Sequence, residues 1–175
     1  DYPDSLSLDD YRNYKIPETY FNERFGQEIS WLKKFETSEI DRFEIFKKLQ
    51  NLKITIIGIG GLGSYIAVLL SAMGVKNIKL VDADTVNISN FTRQIFFTVN
   101  DFAKSIPKVK SLERYINLFN PEVNVQSVCR YLNTKLDAEQ IIDDNTDIVI
   151  QTADKPKGFL ERIINEICIK KNISY

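Results

Sequence analysis

The sequence KITIIGIGGLG, residues 53–63, decides the fold. Its first half is rich in β-branched apolar residues, which is typical of a buried strand. An apolar run with helical character extends from Ser64 to Met73. A glycine turn between a strand and a helix lets the backbone approach a phosphate group, and the helix N-terminus adds free N–H groups. We therefore interpret the stretch as a nucleotide-binding turn, whose glycines are Gly58, Gly60, Gly61 and Gly63.

An acidic residue follows at a distance that supports this interpretation. A second apolar run, residues 77–82, ends in Asp82-Ala-Asp84, about 20 residues after the glycines. A carboxylate at Asp82 is placed to accept hydrogen bonds from ribose hydroxyl groups. The alternative is a tight turn without a ligand, and the strand, helix and acid around the glycines argue against it.

Two functions share this arrangement: hydride transfer with a nicotinamide cofactor, and adenylation with ATP. An adenylating enzyme must hold a triphosphate and release pyrophosphate, which requires Arg, Lys and a magnesium-binding carboxylate near the phosphates. A dehydrogenase has no such requirement. Asn90, Arg93 and Lys108 follow Asp84 along the chain, and they favour adenylation.

The rest of the chain predicts an α/β, Rossmann-like fold with a mainly parallel sheet and helices on both faces, because strands alternate with helices. Residues 1–17 have no periodicity and predict an extended arm, and aromatic residues at helical spacing predict a helix over 18–35. Thr37-Ser38-Glu39 is expected to cap a second helix. We expect residues 1–50 to pack on an adenylation domain at 51–175, which stops as its last strand begins. The later predicted strands are 123–128 and 147–151, and the later helices are 107–119, 136–142 and 159–170.

Composition excludes several classes of function. The chain has 175 residues, a net charge of −1 and no histidine, so His-based triads and His-metal centres are excluded. Without net positive charge, a signal-like N-terminus or a long apolar run, we expect a cytoplasmic protein that binds neither nucleic acid nor membrane.

Cys129 and Cys168 are expected to be buried free thiols. There is no C-x-x-C pair, so zinc is expected only in a part of the protein outside this sequence.

The motifs resemble those of a known family. GIGGLGS at 58–64 and VDADTVNISNFTRQ at 81–94 resemble the ubiquitin-activating superfamily, the ThiF/MoeB/HesA adenylyltransferases. The resemblance extends through Asn120-Pro121 to TADKP at 152–156, and so covers residues 50–175. It implies that ATP and magnesium are used to adenylate the C-terminal carboxylate of a peptide or ubiquitin-like protein, and that the enzyme is a homodimer. A carboxylate is already nucleophilic at neutral pH, so the lack of histidine is no obstacle.

The same resemblance implies roles for individual residues. The glycine turn faces the nucleotide, Asp82 binds the ribose, and Asp84 belongs to the same nucleotide-binding site. The phosphates are surrounded by a lysine together with Asn90, Arg93 and Gln94. Asp154 is expected to hold magnesium, although it could instead cap a helix that starts near Pro156.

Two lysines compete for the phosphate role. The family spacing after Arg93 falls between Lys104 and Lys108. The Pro107-Lys108 pair and the distance back from Asn120-Pro121 favour Lys108. The alternative for Lys104 is a solvated lysine at a helix end.

The sequence departs from the family near its N-terminus. Many members read E-R-Y-S-R-Q there, and the second Arg reaches the triphosphate of a dimer partner. Gln27 takes that position here, so the contact is in doubt unless Arg24 or another residue replaces it. Neither cysteine matches the thioester cysteine that some members use.

The acid substrate is left open by the sequence. The helical N-terminal extension and TADKP most resemble the microcin C-type enzymes, which implies peptide modification in the biosynthesis of a modified peptide. Activation of a ubiquitin-like or sulfur-carrier protein of the ThiS/MoaD type is the main alternative. A non-catalytic, peptide-binding partner with the same fold is the third.

Overall fold

A computed structural model describes residues 18–155 and 158–175 of the chain. The predicted arm at residues 1–17 lies outside the described residues. Among the described residues, helices α1 (Glu18–Leu32) and α2 (Arg42–Asn51) precede the sheet, and a short 3-10 turn (Lys33–Phe35) follows α1. Within the described part of the chain, no helix is both long and apolar enough to cross a membrane.

The remaining elements alternate as the sequence predicts. They are β1 (Lys53–Ile57), α3 (Gly61–Ala72), β2 (Asn77–Val81), a 3-10 turn (Ile88–Asn90), α4 (Val99–Ala103), α5 (Lys108–Phe119), β3 (Asn124–Val128), α6 (Lys135–Ile141), β4 (Ile148–Gln151) and α7 (Phe159–Lys171). The four strands form one parallel sheet in the order β3-β2-β1-β4. The predicted last strand is a single parallel bridge from Ser174 to Ile148.

Each face of the sheet buries its own core. Helices α3 and α5 cover one face, where Ile56 and Leu80 of the strands pack with Leu112. Helices α6 and α7 cover the other face, where Ile57 and Val149 pack with residues of α7. The alternation of side chains along the strands sends successive residues to opposite faces. The prediction of a Rossmann-like sheet with helices on both faces is confirmed.

The N-terminal helices form a third, smaller core. Phe25, Ile29, Leu32 and Phe46 bury one another between α1 and α2. Phe25 and Phe46 also lie against the turn at Gly74, whose φ of +98° favours glycine. The two helices therefore contact the turn that leads into β2. The division into domains at residue 50 stays a prediction.

Two local predictions were wrong. Asp41, rather than Thr37-Ser38-Glu39, caps α2, and its carboxylate accepts hydrogen bonds from two backbone N–H groups of the first turn. The Thr37 hydroxyl instead accepts from Glu39 N and Ile40 N and closes a separate turn. Cys168 is buried, but Cys129 is exposed because it lies just past the end of the edge strand β3. Apolar neighbours in sequence did not show that the chain leaves the sheet there.

Candidate nucleotide site at the carboxyl ends of the strands

The candidate site lies where the strand order reverses. Strand β1 pairs with β2 on one side and with β4 on the other. The connections from β1 and β4 therefore leave the sheet side by side, on opposite sides of a crevice at the carboxyl ends of the strands. In open α/β sheets ligands bind at such a switch point. The glycine turn, residues 58–63, begins here.

Two glycines of the turn are required by close packing. A Cβ atom on Gly63 would lie 1.9 Å from the Gly58 carbonyl oxygen. Gly58 has a φ of +93°, and a Cβ on it would lie 2.5 Å from Ala153 N. The Thr152 hydroxyl donates to the Gly58 carbonyl at 2.6 Å. The turn is thus locked against the segment after β4, a role for Thr152 that its sequence motif did not indicate.

The upper surface of the turn is open. A Cβ atom on Gly60 would meet nothing within 4 Å. Gly60 immediately precedes helix α3 and makes no side-chain cap, so the first N–H groups of the helix have no capping side chain. Open space above a helix N-terminus suits a phosphate group. The geometry therefore fits the predicted phosphate-binding turn.

Arg93 lies against the start of the same helix. Its Cγ and Cδ atoms are 3.5 Å from the position of a Cβ on Gly61. The guanidinium is exposed and donates to the Ser89 carbonyl at 3.2 Å. This contact fixes the side chain by one hydrogen bond and leaves further N–H groups available. Arg93 is thus a cation beside the glycine turn.

Asp82 is held toward the turn by the backbone. One carboxylate oxygen accepts from Ile59 N at 2.6 Å, and the other accepts from Asp84 N at 2.8 Å. Ionised carboxylate oxygens can each accept a second hydrogen bond. The fixed carboxylate is therefore able to receive ribose hydroxyl groups without first being positioned.

The Asp84 carboxylate accepts hydrogen bonds from residues of two other parts of the chain, the start of α5 and the segment after β3. Lys108 Nζ donates to one of its oxygens at 2.7 Å, and Tyr131 Oη donates to the other at 3.0 Å. The Lys108 N–H also donates to the Asp84 carbonyl at 2.9 Å. The hydrogen bond from Lys108 is the main cause that holds the pKa of Asp84 below its ordinary value, against partial burial, and the charge of Lys155 adds to the effect.

This arrangement distinguishes the two candidate lysines. Lys108 is 6% exposed and begins α5 beside Asp84. Lys104 is exposed and lies at the end of α4, as in the solvated alternative. The structure therefore brings Lys108, and not Lys104, into contact with the acidic residues of the site.

Asn90 and Gln94 are buried residues of the loop between β2 and α4. The Asn90 side-chain oxygen accepts from Asn87 N at 2.9 Å and closes the 3-10 turn. Gln94 is 2% exposed, and its side-chain oxygen has no hydrogen-bond partner among the described residues. An unpaired buried acceptor costs roughly 1–3 kcal/mol, so water or a ligand donor group is expected there.

Asp154 lies on the other side of the turn, after β4. It lines an open cleft of about 740 Å³ together with Leu62, Thr152 and Lys155. Helix α7 begins only at Phe159, and Gly158 precedes it without a side-chain cap. Asp154 is therefore not positioned as the alternative helix cap.

The donor set suits magnesium only when phosphates take part. Within the described residues no group of three or more acidic or cysteine side chains is placed to hold a metal. Magnesium is commonly held by one or two carboxylates, water and substrate phosphates. Asp154 provides such a carboxylate beside the open turn, so the chain fits a metal that arrives with a nucleotide.

The N-terminal arginine has a different environment. The Arg24 guanidinium lies 5.3 Å from the ring centroid of Phe25 and 5.6 Å from that of Phe119. These contacts link α1 to the end of α5. Whether Arg24 or Gln27 reaches a partner's nucleotide stays a prediction.

Residues 33–175 match the model of the ThiF family. The chain belongs to this family. The match confirms the resemblance that the glycine turn and the VDADTVNISNFTRQ motif indicated.

Curated relatives support the same conclusion. The chain is 33% identical over 130 residues to the molybdopterin-synthase adenylyltransferase of Haemophilus influenzae, covering 73% of this chain and 51% of the relative. It is 33% identical over 129 residues to the sulfur carrier protein ThiS adenylyltransferase of Bacillus subtilis, covering 74% and 37%. The chain thus aligns with about half of these relatives or less.

Solved structures of similar fold include the E. coli protein MccB. The fold matches MccB with ATP at a TM-score of 0.76 and 23% identity, covering 95% of this chain and 53% of MccB. It also matches the microcin C7 biosynthetic enzyme MccB in complex with N-formylated MccA at a TM-score of 0.71 and 25% identity, covering 96% and 53%. The alignments include most of the N-terminal helical region as well as the sheet.

Proposed function

We propose that this ThiF-family chain binds ATP and adenylates the C-terminal carboxylate of a peptide or small protein. The observation that carries the proposal is the open glycine turn at the switch point, with Asp82, Arg93 and the Lys108–Asp84 pair around it. Relatives named as adenylyltransferases share the family. A nicotinamide enzyme releases no pyrophosphate and so does not require these cations beside the turn.

The reaction needs positioning and charge neutralisation more than proton transfer. A carboxylate oxygen of the substrate attacks the α-phosphorus of ATP, and an O–P bond forms. The bond from the α-phosphorus to the bridging oxygen breaks, and pyrophosphate leaves with the electron pair. Arg93, Lys108 and the first N–H groups of α3 offset the charge of the phosphates, while Asp82 fixes the ribose.

Asp154 is proposed to hold magnesium, which would supply further neutralisation of phosphate charge. Replacing Asp154 by Asn removes one anionic oxygen ligand. We expect the Asp154→Asn variant to require about tenfold more magnesium for half-maximal pyrophosphate exchange. Glu161→Gln, which removes another carboxylate from the lining of the cleft, is the matched control. An unchanged magnesium profile in Asp154→Asn would remove Asp154 from the metal site.

Two classes of acid substrate compete. The agreement with MccB over the N-terminal helices favours a peptide, and with it a role in modified-peptide biosynthesis. The relatives named molybdopterin-synthase adenylyltransferase and sulfur carrier protein ThiS adenylyltransferase favour a sulfur-carrier protein. A homodimer is proposed for either class. A non-catalytic partner with the same fold would bind the acid without exchange.

ATP–pyrophosphate exchange by the full-length protein separates these functions. We expect exchange that depends on an added acid substrate, with synthetic peptides ending in Asn or Gly and a purified ThiS-type carrier protein as the two probes. Stimulation by peptides alone supports peptide modification, and stimulation by the carrier alone supports sulfur-carrier activation. ATP binding without exchange under any condition contradicts the enzymatic proposal and favours the binding partner.

A further inference from the structure

Lys155 enters the candidate site from the side opposite Lys108. It follows Asp154 after β4 and lines the open cleft with Leu62, at the start of α3, and Thr152. Lys108 approaches from α5, beyond β2, as the ion pair with Asp84 shows. The two lysines therefore flank the glycine turn, one on each side of β1.

The two lysines differ in how their charges are used. Lys108 is buried and its charge is paired with Asp84. Lys155 is exposed, and no carboxylate of the described residues forms an ion pair with it. Its field still reaches the site, because it contributes to the lowered pKa of Asp84. Lys155 is thus a cation in the cleft that no carboxylate of the described residues holds in an ion pair.

The charges of the site show why such a cation is needed. Asp82, Asp84, Asp154 and Glu161 carry four negative charges around the turn and its cleft, whereas Arg93 and Lys108 carry two positive charges. A polyphosphate brings several more negative charges to the same place. Without Lys155 the protein would offer the phosphates a site with excess negative charge, which weakens anion binding at short range.

We propose that Lys155 is a phosphate-binding residue that contacts the polyphosphate of ATP from the β4 side of the glycine turn. The inference rests on the proposed ATP site and adds to it a residue from the β4 loop. The flexible ammonium group donates to phosphate oxygens as a point charge. Lys155 then adds its charge from the β4 side to the charges of Arg93 and of Lys108, whose ammonium group Asp84 holds in place.

The test compares three variants of the full-length protein: Lys155→Gln, Lys155→Arg and the control Lys104→Gln. The probes are ATP, AMP and inorganic tripolyphosphate, and the measurement is isothermal titration calorimetry. We expect Lys155→Gln to weaken ATP and tripolyphosphate binding about tenfold, as for loss of one charged contact. AMP binding should change less than about twofold, because Asp82, the proposed ribose ligand, is intact.

The two other variants distinguish loss of the Lys155 charge from a structural effect of the substitution. Lys155→Arg keeps the charge and should bind ATP within about threefold of the wild type. Lys104→Gln removes an exposed lysine outside the cleft and should change ATP binding less than about twofold. Equal loss of ATP and AMP binding in Lys155→Gln would show a structural role and overturn the inference, and so would unchanged ATP and tripolyphosphate binding.

The binding test of Lys155 and the exchange test of adenylation can fail independently of each other. If the wild type binds ATP or tripolyphosphate but catalyses no exchange, adenylation fails while the Lys155 comparison still decides the inference. If exchange occurs and Lys155→Gln binds both polyphosphates as the wild type does, the inference fails while adenylation stands. If the wild type binds neither, both fail.

Discussion

At the carboxyl ends of its strands the sheet carries the glycine turn and an open cleft of about 740 Å³, whereas at the amino ends the same strands line a pocket of about 180 Å³. Both places contain lysines and acidic residues. At the amino end Lys79 donates to Asp143 at 2.6 Å and to the Ile141 carbonyl at 2.9 Å. Asp147 accepts from Lys53 N at 2.8 Å.

The difference is clearest between Lys79, which is paired with Asp143, and Lys155, which forms no ion pair with a carboxylate of the described residues. At the amino end the ion pair and hydrogen bonds tie the strands to the loop after α6, and the groups that make them are occupied. At the carboxyl end Lys155 faces solvent with its charge unpaired among the described residues, next to a turn with open backbone. A lysine is thus most readily available to a ligand where no protein group already pairs with its charge.

Removing cations at the two ends is expected to give the largest contrast. Arg93→Ala and Lys108→Ala should each reduce the exchange rate by a factor that corresponds to about 3–4 kcal/mol, the loss of one electrostatic donor. Lys79→Ala should leave the rate unchanged and lower the free energy of unfolding by about 1 kcal/mol. Pyrophosphate exchange and urea unfolding measure the two effects. Near-normal rates in both site variants would place the phosphates elsewhere.

A pair of glycine variants separates the packed side of the turn from its open side. Gly63→Ala should lower the free energy of unfolding by about 3 kcal/mol, because its Cβ would meet the Gly58 carbonyl. Gly60→Ala should unfold close to the wild type and lose ATP affinity, because its methyl group enters the open space. Urea unfolding and ATP titration are compared for both variants. Equal stability of the two would contradict the packing described here.

The buried carboxylate of Asp101 is expected to contribute to stability in a pH-dependent way. Burial alone would raise the pKa of Asp101, but hydrogen bonds from Arg114, Thr98 and Ser111 lower it to about 2. This folded pKa is below the ordinary value of 3.8. Asp101 therefore stabilises the fold above about pH 4 and loses this effect as the pH falls toward 2, a change of about 2 kcal/mol.

Urea unfolding between pH 6 and pH 2.5 measures this dependence. The wild type should lose more stability across the range than Asp101→Asn, which is less stable at neutral pH but has no carboxylate to protonate there. Parallel pH curves for the two proteins would show that another group controls acid unfolding.

The smallest effect is expected at Tyr131. Tyr131→Phe removes the hydrogen bond to Asp84 but leaves the Lys108–Asp84 pair intact. Because Asp84 is half-exposed, water can replace the hydroxyl, and we expect the KM for ATP to rise about two- to threefold. Tyr115→Phe is the control, because Tyr115 lies within α5 and its ring packs against Phe96. A large fall in kcat would indicate that Tyr131 contacts the nucleotide directly.

Much of the fold follows from local sequence patterns. The bounds of β1 were predicted as observed, and α5 begins directly after Pro107, because β-branched runs and Pro at a helix start act locally. The first turn of α3 was missed, since it starts within the glycines at Gly61. The cap of α2 at Asp41 was missed because Thr37-Ser38-Glu39 also fits the pattern of a helix N-terminus, although Thr37 closes a separate turn.

The candidate site was predicted only in part. The motif residues from Asp82 to Lys108 could be named because they recur together in the family. The contributions of Thr152, Tyr131 and Lys155 depend on which strands are neighbours, and the order β3-β2-β1-β4 was not predicted from the sequence. Once that order is known, residues just after β3 and β4 become candidates, because these strands end beside β2 and β1.

ATP–pyrophosphate exchange by the full-length wild type and Arg93→Ala tests the central claim most directly. With an activating acid substrate present, we predict exchange in the wild type and a loss of about 100-fold or more in the variant, which also retains the wild-type unfolding midpoint. Equal exchange in both proteins, or binding of NAD in preference to ATP by the wild type, would contradict adenylation at the glycine turn.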